Sequence, residues 1–299
     1  MRPRKIAILA QRGLGPSGPL RFPYARLKTA SIVRDALEED AAGNDITSIA
    51  TILTERRARC HIVARQRGVI AGIPLAREAF RQRDPKASVR TTVKDGQLVN
   101  AGDEVMFVTG SPRGLLSAER VALNYLQRLS GIATLTHQFV DLVNGTDARI
   151  LDTRKTTPGW RLLEKYAVRA GGGMNHRMDL GAAVLIKDNH LAALDGDVGV
   201  AVQRARDLAP GTPVEVECDR IEQVQAALDA RAEIIMLDNM SPAKLREAVA
   251  LVDGRAITEA SGGVRIETVR AIAETGVDWI SVGALTHSAK ALDLGLDFE

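Results

Sequence analysis

Aromatic side chains are scarce: two tryptophans, three tyrosines and five phenylalanines make 3% of 299 residues. So sparse a set offers no row of stacking platforms for single-stranded nucleic acid. Cysteine is scarcer still, with only Cys60 and Cys218. The two lie too far apart for a Cys-x-x-Cys zinc site, and two cannot build a disulfide-dense scaffold. No run reaches the roughly 18 apolar residues of a membrane-spanning helix. The short apolar stretch at 6–10 stops at Gln11-Arg12, too early for a secretory signal core. A reducing, cytoplasmic setting is the expectation, with no membrane partner. A strong excess of one charge is also missing. Forty Lys and Arg against 37 Asp and Glu leave a formal +3, which implies no nucleic-acid partner without a clustered basic face.

What is present is ordinary for a folded protein: 45% hydrophobic and 26% charged residues. The length suits two domains or one large barrel. Residues 1–28, rich in Arg, Gly and Pro, hold no period and read as an extension, mobile or draped over a neighbour. Residues 29–41 read as a helix. Strands are expected at 57–65, 89–93 and 105–108, the last entered through the turn Ala101-Gly102-Asp103. Ser117 reads as the N-cap of a helix that Gly131 ends.

From about 148 the rhythm changes. Short apolar runs at 149–151, 183–187, 213–217, 234–237, 256–259 and 279–282 alternate with helical patterns at 160–168, 199–208, 220–229, 242–252 and 265–274. That alternation means parallel strands with helical crossovers. Lys187, Glu217, Asp238 and Glu259 fall where strands should end, with 217, 238 and 259 regularly spaced. A doubly wound sheet is one solution. A barrel fits better, because its C-terminal rim collects such groups in one mouth.

The densest stretch, Asp152 to Gly159, follows the first of these strands. Arg154 can grip a carboxylate or phosphate bidentately and Lys155 adds a point charge; Thr153 stands beside them. Gly171-Gly-Gly runs into Asn175-His176-Arg177, where the glycines permit close ligand approach. Lys187 ends an apolar strand, placed either for a Schiff base or for anion binding. His190 reads as a structural residue holding the loop. Glu217 and Asp238 suit sugar hydroxyls, or Mg²⁺ bridging a pyrophosphate. Glu215 shares a strand face with Glu217, and one of the two is expected to make only a structural ion pair. Ser261-Gly262-Gly263 and Val282-Gly283-Ala284 each follow a strand and open a helix, the pattern of phosphate loops. In barrels such loops follow the last two strands. The summed site should take strongly anionic ligands carrying at least one phosphate.

At these residues the sequence resembles the quinolinate phosphoribosyltransferase family. The resemblance runs in order through Ala36-Leu-Glu-Glu-Asp40, Asp45-Ile-Thr47, Gly68 to Gly72, Asp95-Gly96, Glu119 to Asn124, Leu129 to Thr134, Asp152 to Gly159, Asn175 to Arg177, Leu185 to His190, Leu237 to Asn239, Glu259 to Gly263 and Ser281 to Thr286. It implies an α/β chain, with an N-terminal α/β sandwich domain (29–130) and an incomplete, seven-stranded α/β barrel (131–287). The tail 288–299 is left with a return to the first domain open. It further implies a homodimer or higher oligomer with shared active sites, Mg²⁺, and the conversion of quinolinate and phosphoribosyl pyrophosphate to nicotinate mononucleotide, pyrophosphate and CO₂.

By the same resemblance, Arg154, Lys155, His176, Arg177 and Lys187 line the quinolinate pocket, with Arg120 entering from the partner subunit. Glu217 and Asp238 serve the ribose hydroxyls and the Mg²⁺-pyrophosphate, directly or indirectly. Ser261, Gly262, Gly263, Val282, Gly283 and Ala284 surround the 5′-phosphate. Two departures stand out: Ala182 occupies a place where the family has an Asp, and residues 1–28 match no family counterpart. A related transferase with another pyridine or acid, a lysine-dependent barrel aldolase and a non-enzymatic anion binder are the competing readings.

Overall fold

The computed structural model describes residues 18–53 and 56–299, which contain two compact units. The expected extension at 1–28 falls largely outside the described residues. One unit comprises Leu20–His137, Thr157–Gly172 and Ala289–Glu299. It opens with helix Arg26–Glu39 (α1), which buries Val33 and Leu37, and helix Ile46–Thr51 (α2). Asp45 caps α2 by accepting from the Ser48 N–H at 3.0 Å. Then come strands Ala58–Ala64 (β1) and Gly68–Val69 (β2), helix Ile73–Arg83 (α3), and strands Ser88–Thr91 (β3), Leu98–Val99 (β4) and Glu104–Gly110 (β5). β1 and β5 alternate buried and half-exposed residues over most of their length, as strands with one packed face should.

Helix Pro112–Leu142 (α4) differs from the sequence reading at both ends. Ser117 is not its cap. It lies inside the helix, buried, with its hydroxyl donating back to the Gly114 carbonyl. Nor does Gly131 end it. A Cβ at Gly131 would stand 2.0 Å from the Lys290 carbonyl oxygen, so this glycine admits another segment of backbone. Helix Arg161–Ala170 (α5) clusters with this unit although it lies within 131–287.

The second unit contains Gln138–Thr156 and Gly173–Ser288. Its strands are Arg149–Leu151 (β6), Val184–Ile186 (β7), Val214–Cys218 (β8), Ile234–Asp238 (β9), Ile257–Ser261 (β10) and Trp279–Ser281 (β11). They form one parallel sheet in the order β6-β11-β10-β9-β8-β7. Where the resemblance implies seven strands, six are regular. The seventh position holds a single parallel bridge, Met174 beside Leu151. Between the strands run helices Asp188–Ala192 (α6), Val198–Leu208 (α7), Ile221–Asp229 (α8), Pro242–Val252 (α9) and Ile266–Ala273 (α10), with Ala284–His287 (α11) after the last. Ser241 caps α9 with Pro242 in its first turn, and Asp197 caps α7. Leu151, Met174, Ala183, Ile234, Ile257 and Trp279 form a buried cluster, as expected for inward side chains of a barrel.

The chain closes with strand Leu294–Phe298 (β12), antiparallel to β1 at the edge of the first unit's sheet, β12-β1-β5-β3.

Candidate active site

The strand ends of the second unit surround a cavity of about 870 Å³. Thr153, Arg154, Lys155, His176, Arg177, Lys187, Glu217 and Asp238 line it, together with Ser261, Gly262, Gly263, Gly283 and Ala284. Two residues of the sequence-derived set lie elsewhere. Val282 is buried, its N–H donating to the Leu151 carbonyl at 2.9 Å. Arg120 is exposed on α4 and lines no part of this cavity.

Local structure explains how the cations are presented. Asp152, fully buried at the end of β6, accepts from Asn175 Nδ2 at 2.5 Å and from the His176 N–H at 2.9 Å. That carboxylate staples the Asn175-His176-Arg177 segment to the loop that carries Arg154 and Lys155. The Thr286 hydroxyl donates to the Lys155 carbonyl at 2.7 Å. A Cβ on Gly283 would meet Lys155 Cδ at 3.1 Å, so the Lys155 stem lies over the glycine of the last loop. Burial, and then the neighbouring Arg154, push the Arg177 pKa below its ordinary value. Guanidinium stays charged all the same. Arg154 Nε is buried without a hydrogen-bond partner. Two mutually repelling arginines with an unfilled donor make a pocket that an anion relieves.

Beneath them His176 is buried between two carboxylates. Its Nε2 lies 3.2 Å from Glu215 Oε2 and 3.4 Å from Glu259 Oε2. Burial alone favours the neutral imidazole, but the fields of Glu259 and Glu215 override it and raise the His176 pKa well above the usual range. Burial, and then Glu259, raise the Glu215 pKa. These three residues form a group with metal-ligand spacing. The Arg177 N–H lies 2.7 Å from His176 Nδ1, and Nε2 is the ring nitrogen that faces the two carboxylates. The three side chains form a buried Glu-His-Glu charge cluster in the floor of the cavity.

At the rim, Lys187 Nζ donates to Glu217 Oε2 at 2.8 Å. The Lys187 main-chain N–H donates to His190 Nδ1 at 2.9 Å, so His190 holds the start of α6. The equal sequence spacing of Glu217, Asp238 and Glu259 does not mean equal height. Glu217 pairs with Met236, and Met236 with Glu259, whereas Asp238 pairs with Ser261 further out. Glu259 is fully buried, whereas Asp238 further out and Glu217, which shares the level of Glu259, are half-buried. Gly262 and Gly263 have φ of +90° and +59°, left-handed conformations of the kind found in main-chain N–H concavities that bind anions. Sequence reasoning missed Asn239, Arg265 and His287 as lining residues. Asn239 closes the Leu237 to Asn239 run of the resemblance, and His287 directly follows its Ser281 to Thr286 run.

Comparison with known proteins gives a consistent result. The family model "Quinolinate phosphoribosyl transferase, C-terminal domain" matches residues 132–297, and its N-terminal counterpart matches 45–130. The chain is 46% identical over 273 residues to "Nicotinate-nucleotide pyrophosphorylase [carboxylating]" of Mycobacterium leprae, covering 89% of this chain and 95% of that one. A chloroplastic protein of that name from Oryza sativa subsp. japonica is 42% identical, covering 99% of this chain and 84% of its own. That alignment gives residues 1–28 a counterpart over nearly their whole length, against the sequence reading. The solved nicotinate-nucleotide pyrophosphorylase of Francisella tularensis superposes with a TM-score of 0.89 at 37% identity, covering 95% of this chain and all of that one.

Proposed function

The chain belongs to the quinolinate phosphoribosyltransferase family, and from that we propose that its barrel-mouth cavity transfers phosphoribosyl from phosphoribosyl pyrophosphate to quinolinate with loss of CO₂. The product is nicotinate mononucleotide, a step of NAD biosynthesis. One observation carries the reading: Arg154, Lys155, Arg177 and Lys187 line one cavity with Glu217, Asp238 and two glycine loops. A dicarboxylate and a phosphorylated sugar have the complementary charges.

In this reading the arginines and lysines take the two quinolinate carboxylates and fix the ring nitrogen toward the anomeric carbon. Such fixing supplies much of the rate gain. Ser261, Gly262, Gly263, Gly283 and Ala284 hold the 5′-phosphate through main-chain N–H groups. The anomeric C–O bond breaks and its electron pair leaves on pyrophosphate. The pyridine lone pair forms the new C–N bond, which makes the nitrogen cationic. The C2–carboxyl bond then breaks, CO₂ departs, and the electron pair left on C2 is stabilised by that cation until it takes a proton from solvent. Catalysis is electrostatic, with cations preorganised where negative charge builds up.

Glu217 and Asp238 offer the hard oxygen donors that suit Mg²⁺. Among the described residues they belong to no group of three carboxylates, imidazoles or thiols at ligand spacing. Glu217 and Asp238 would hold the ion, which would supply charge neutralisation of the leaving pyrophosphate. Arg120, exposed on α4, serves a second copy of the chain in a homodimer. No helix among the described residues is long and apolar enough to cross a membrane. Both cysteines are free and buried, which suits a reducing cytoplasm.

The test is incubation with quinolinate, phosphoribosyl pyrophosphate and Mg²⁺, following nicotinate mononucleotide and CO₂. Product should require all three components. Turnover of nicotinate in place of quinolinate, or binding without turnover, would overturn the assignment.

A further inference from the structure

Asn239 follows the last residue of β9 and, among the described residues, is the only one lining this cavity other than glycine with a left-handed backbone, at φ +53°. Its main-chain N–H donates to the Ser261 carbonyl at 2.9 Å, one step beyond the Asp238–Ser261 pair of the sheet. Its side-chain Nδ2 donates to Asp238 Oδ2 at 2.6 Å. Its Oδ1 faces Gly262: a Cβ there would lie 2.2 Å from that oxygen and 2.9 Å from the Asn239 nitrogen. One residue thus touches the Asp238 carboxylate and the glycine turn, and bonds to the strand end that leads into that turn.

We propose that Asn239 is a positioning residue that locks the Asp238 carboxylate and the Ser261-Gly262-Gly263 turn into one unit for the phosphoribosyl group. The inference rests on the phosphoribosyl-transfer reading above. Two substrate contacts are at stake, the ribose hydroxyls at Asp238 and the 5′-phosphate at the turn. They belong to different strands, and their separation must match the sugar. A bridging amide fixes that separation before substrate arrives, so binding energy is not spent on ordering the two loops.

Residue chemistry explains why asparagine stands here. Outside glycine, Asn and Asp tolerate a left-handed backbone best. Aspartate would set a second carboxylate against Asp238 and remove the donor. Glycine would keep the backbone but lose the amide. Alanine would lose the amide and strain the backbone. The absence of a side chain at Gly262 is the other half of the arrangement, since any Cβ would collide with the Asn239 amide.

The test compares N239D, N239G and N239A with the full-length wild type. The KM for phosphoribosyl pyrophosphate should rise at least tenfold in N239D and at least fivefold in N239G. The KM for quinolinate should stay within twofold in both, with melting temperatures near wild type. N239A should show the same selective loss with a lower melting temperature, because it alone strains the backbone. Calorimetry with inorganic phosphate, which needs no turnover, should show binding weakened at least fivefold in N239D and N239G. Unchanged KM and phosphate affinity in N239D and N239G would overturn the proposal, as would equal rises for both substrates. If wild type fails to form product but binds phosphate, the phosphoribosyl-transfer reading fails. The phosphate arm then still decides whether Asn239 orders the turn.

Discussion

Lys187 Nζ and Glu217 Oε2 sit 2.8 Å apart, an ion pair between the mouths of adjacent parallel strands. The lysine side chain is 45% exposed. A Schiff-base lysine is instead desolvated and neutral. If Lys187 takes quinolinate and Glu217 the ribose, as proposed, the pair lies where the two substrates would meet. Borohydride treatment in the presence of quinolinate should leave Lys187 unlabelled, as peptide mass mapping would show. Lys187→Ala should lower kcat/KM on the order of a hundredfold or more, the usual effect of losing one preorganised donor. A labelled Lys187 would restore covalent chemistry as a candidate.

Arg120 poses a different question, because it is exposed on α4 and lines no part of the 870 Å³ cavity. If it serves a second copy of the chain, Arg120→Ala and Lys187→Ala should each be nearly inactive alone. A mixture allowed to exchange subunits should recover activity, since one kind of mixed site carries both native residues. Exchange is checked independently with differently tagged chains. Demonstrated exchange without recovery would show that Arg120 acts within its own chain or not at all.

The barrel was largely legible in the sequence because its signals are local. Helix α9 is marked by Ser241 as cap, Pro242 after it and an apolar face ending in Val252, all within a dozen residues. The strands at 149–151 and 279–281 announced themselves as short apolar runs. What escaped depends on contacts distant in sequence. Gly131 read as a helix end because glycine often is one, and only the Lys290 backbone explains it. Glu259 read as a rim residue because 21-residue spacing looked regular, and only its tertiary contact with His176 shows it as a buried residue. Asn239 carried no pattern of its own.

The Gly131 contact predicts a stability effect. Replacing it with alanine puts a methyl group 2.0 Å from the Lys290 carbonyl oxygen and 3.0 Å from Ala291 Cα. These are main-chain atoms, so no rotamer change relieves the clash. Overpacking of this kind costs about 1–3 kcal/mol, and the melting temperature of Gly131→Ala should fall by several degrees. Gly43→Ala is the control, since its nearest neighbour is the mobile end of Arg83 at 4.0 Å. Equal melting curves for the two variants would remove close packing as the reason for Gly131.

His61 predicts how β12 responds to pH. On β1, its Nδ1 contacts Glu104 Oε2 of β5, and its Nε2 lies 2.7 Å from Glu299 Oε1, next to β12. Arg59 also reaches Glu299, at 3.7 Å. The hydrogen bonds to Glu299 and then to Glu104 raise the His61 pKa, and the bond from His61 lowers that of Glu299. A raised histidine pKa contributes stability that is complete below the unfolded value, about 6.5, and is lost as pH rises through the folded value. A depressed carboxylate pKa contributes stability that is complete above its unfolded value, about 4.3, and is lost as pH falls through the folded value. The latch on β12 should therefore be tightest between roughly pH 4.3 and 6.5. Amide exchange of β12, corrected for the intrinsic pH dependence, should show protection falling as pH passes above that window. His61→Gln should flatten the profile, because it cannot carry the charge that both glutamates share. An identical profile in the two proteins would mean that backbone pairing with β1 alone holds the strand.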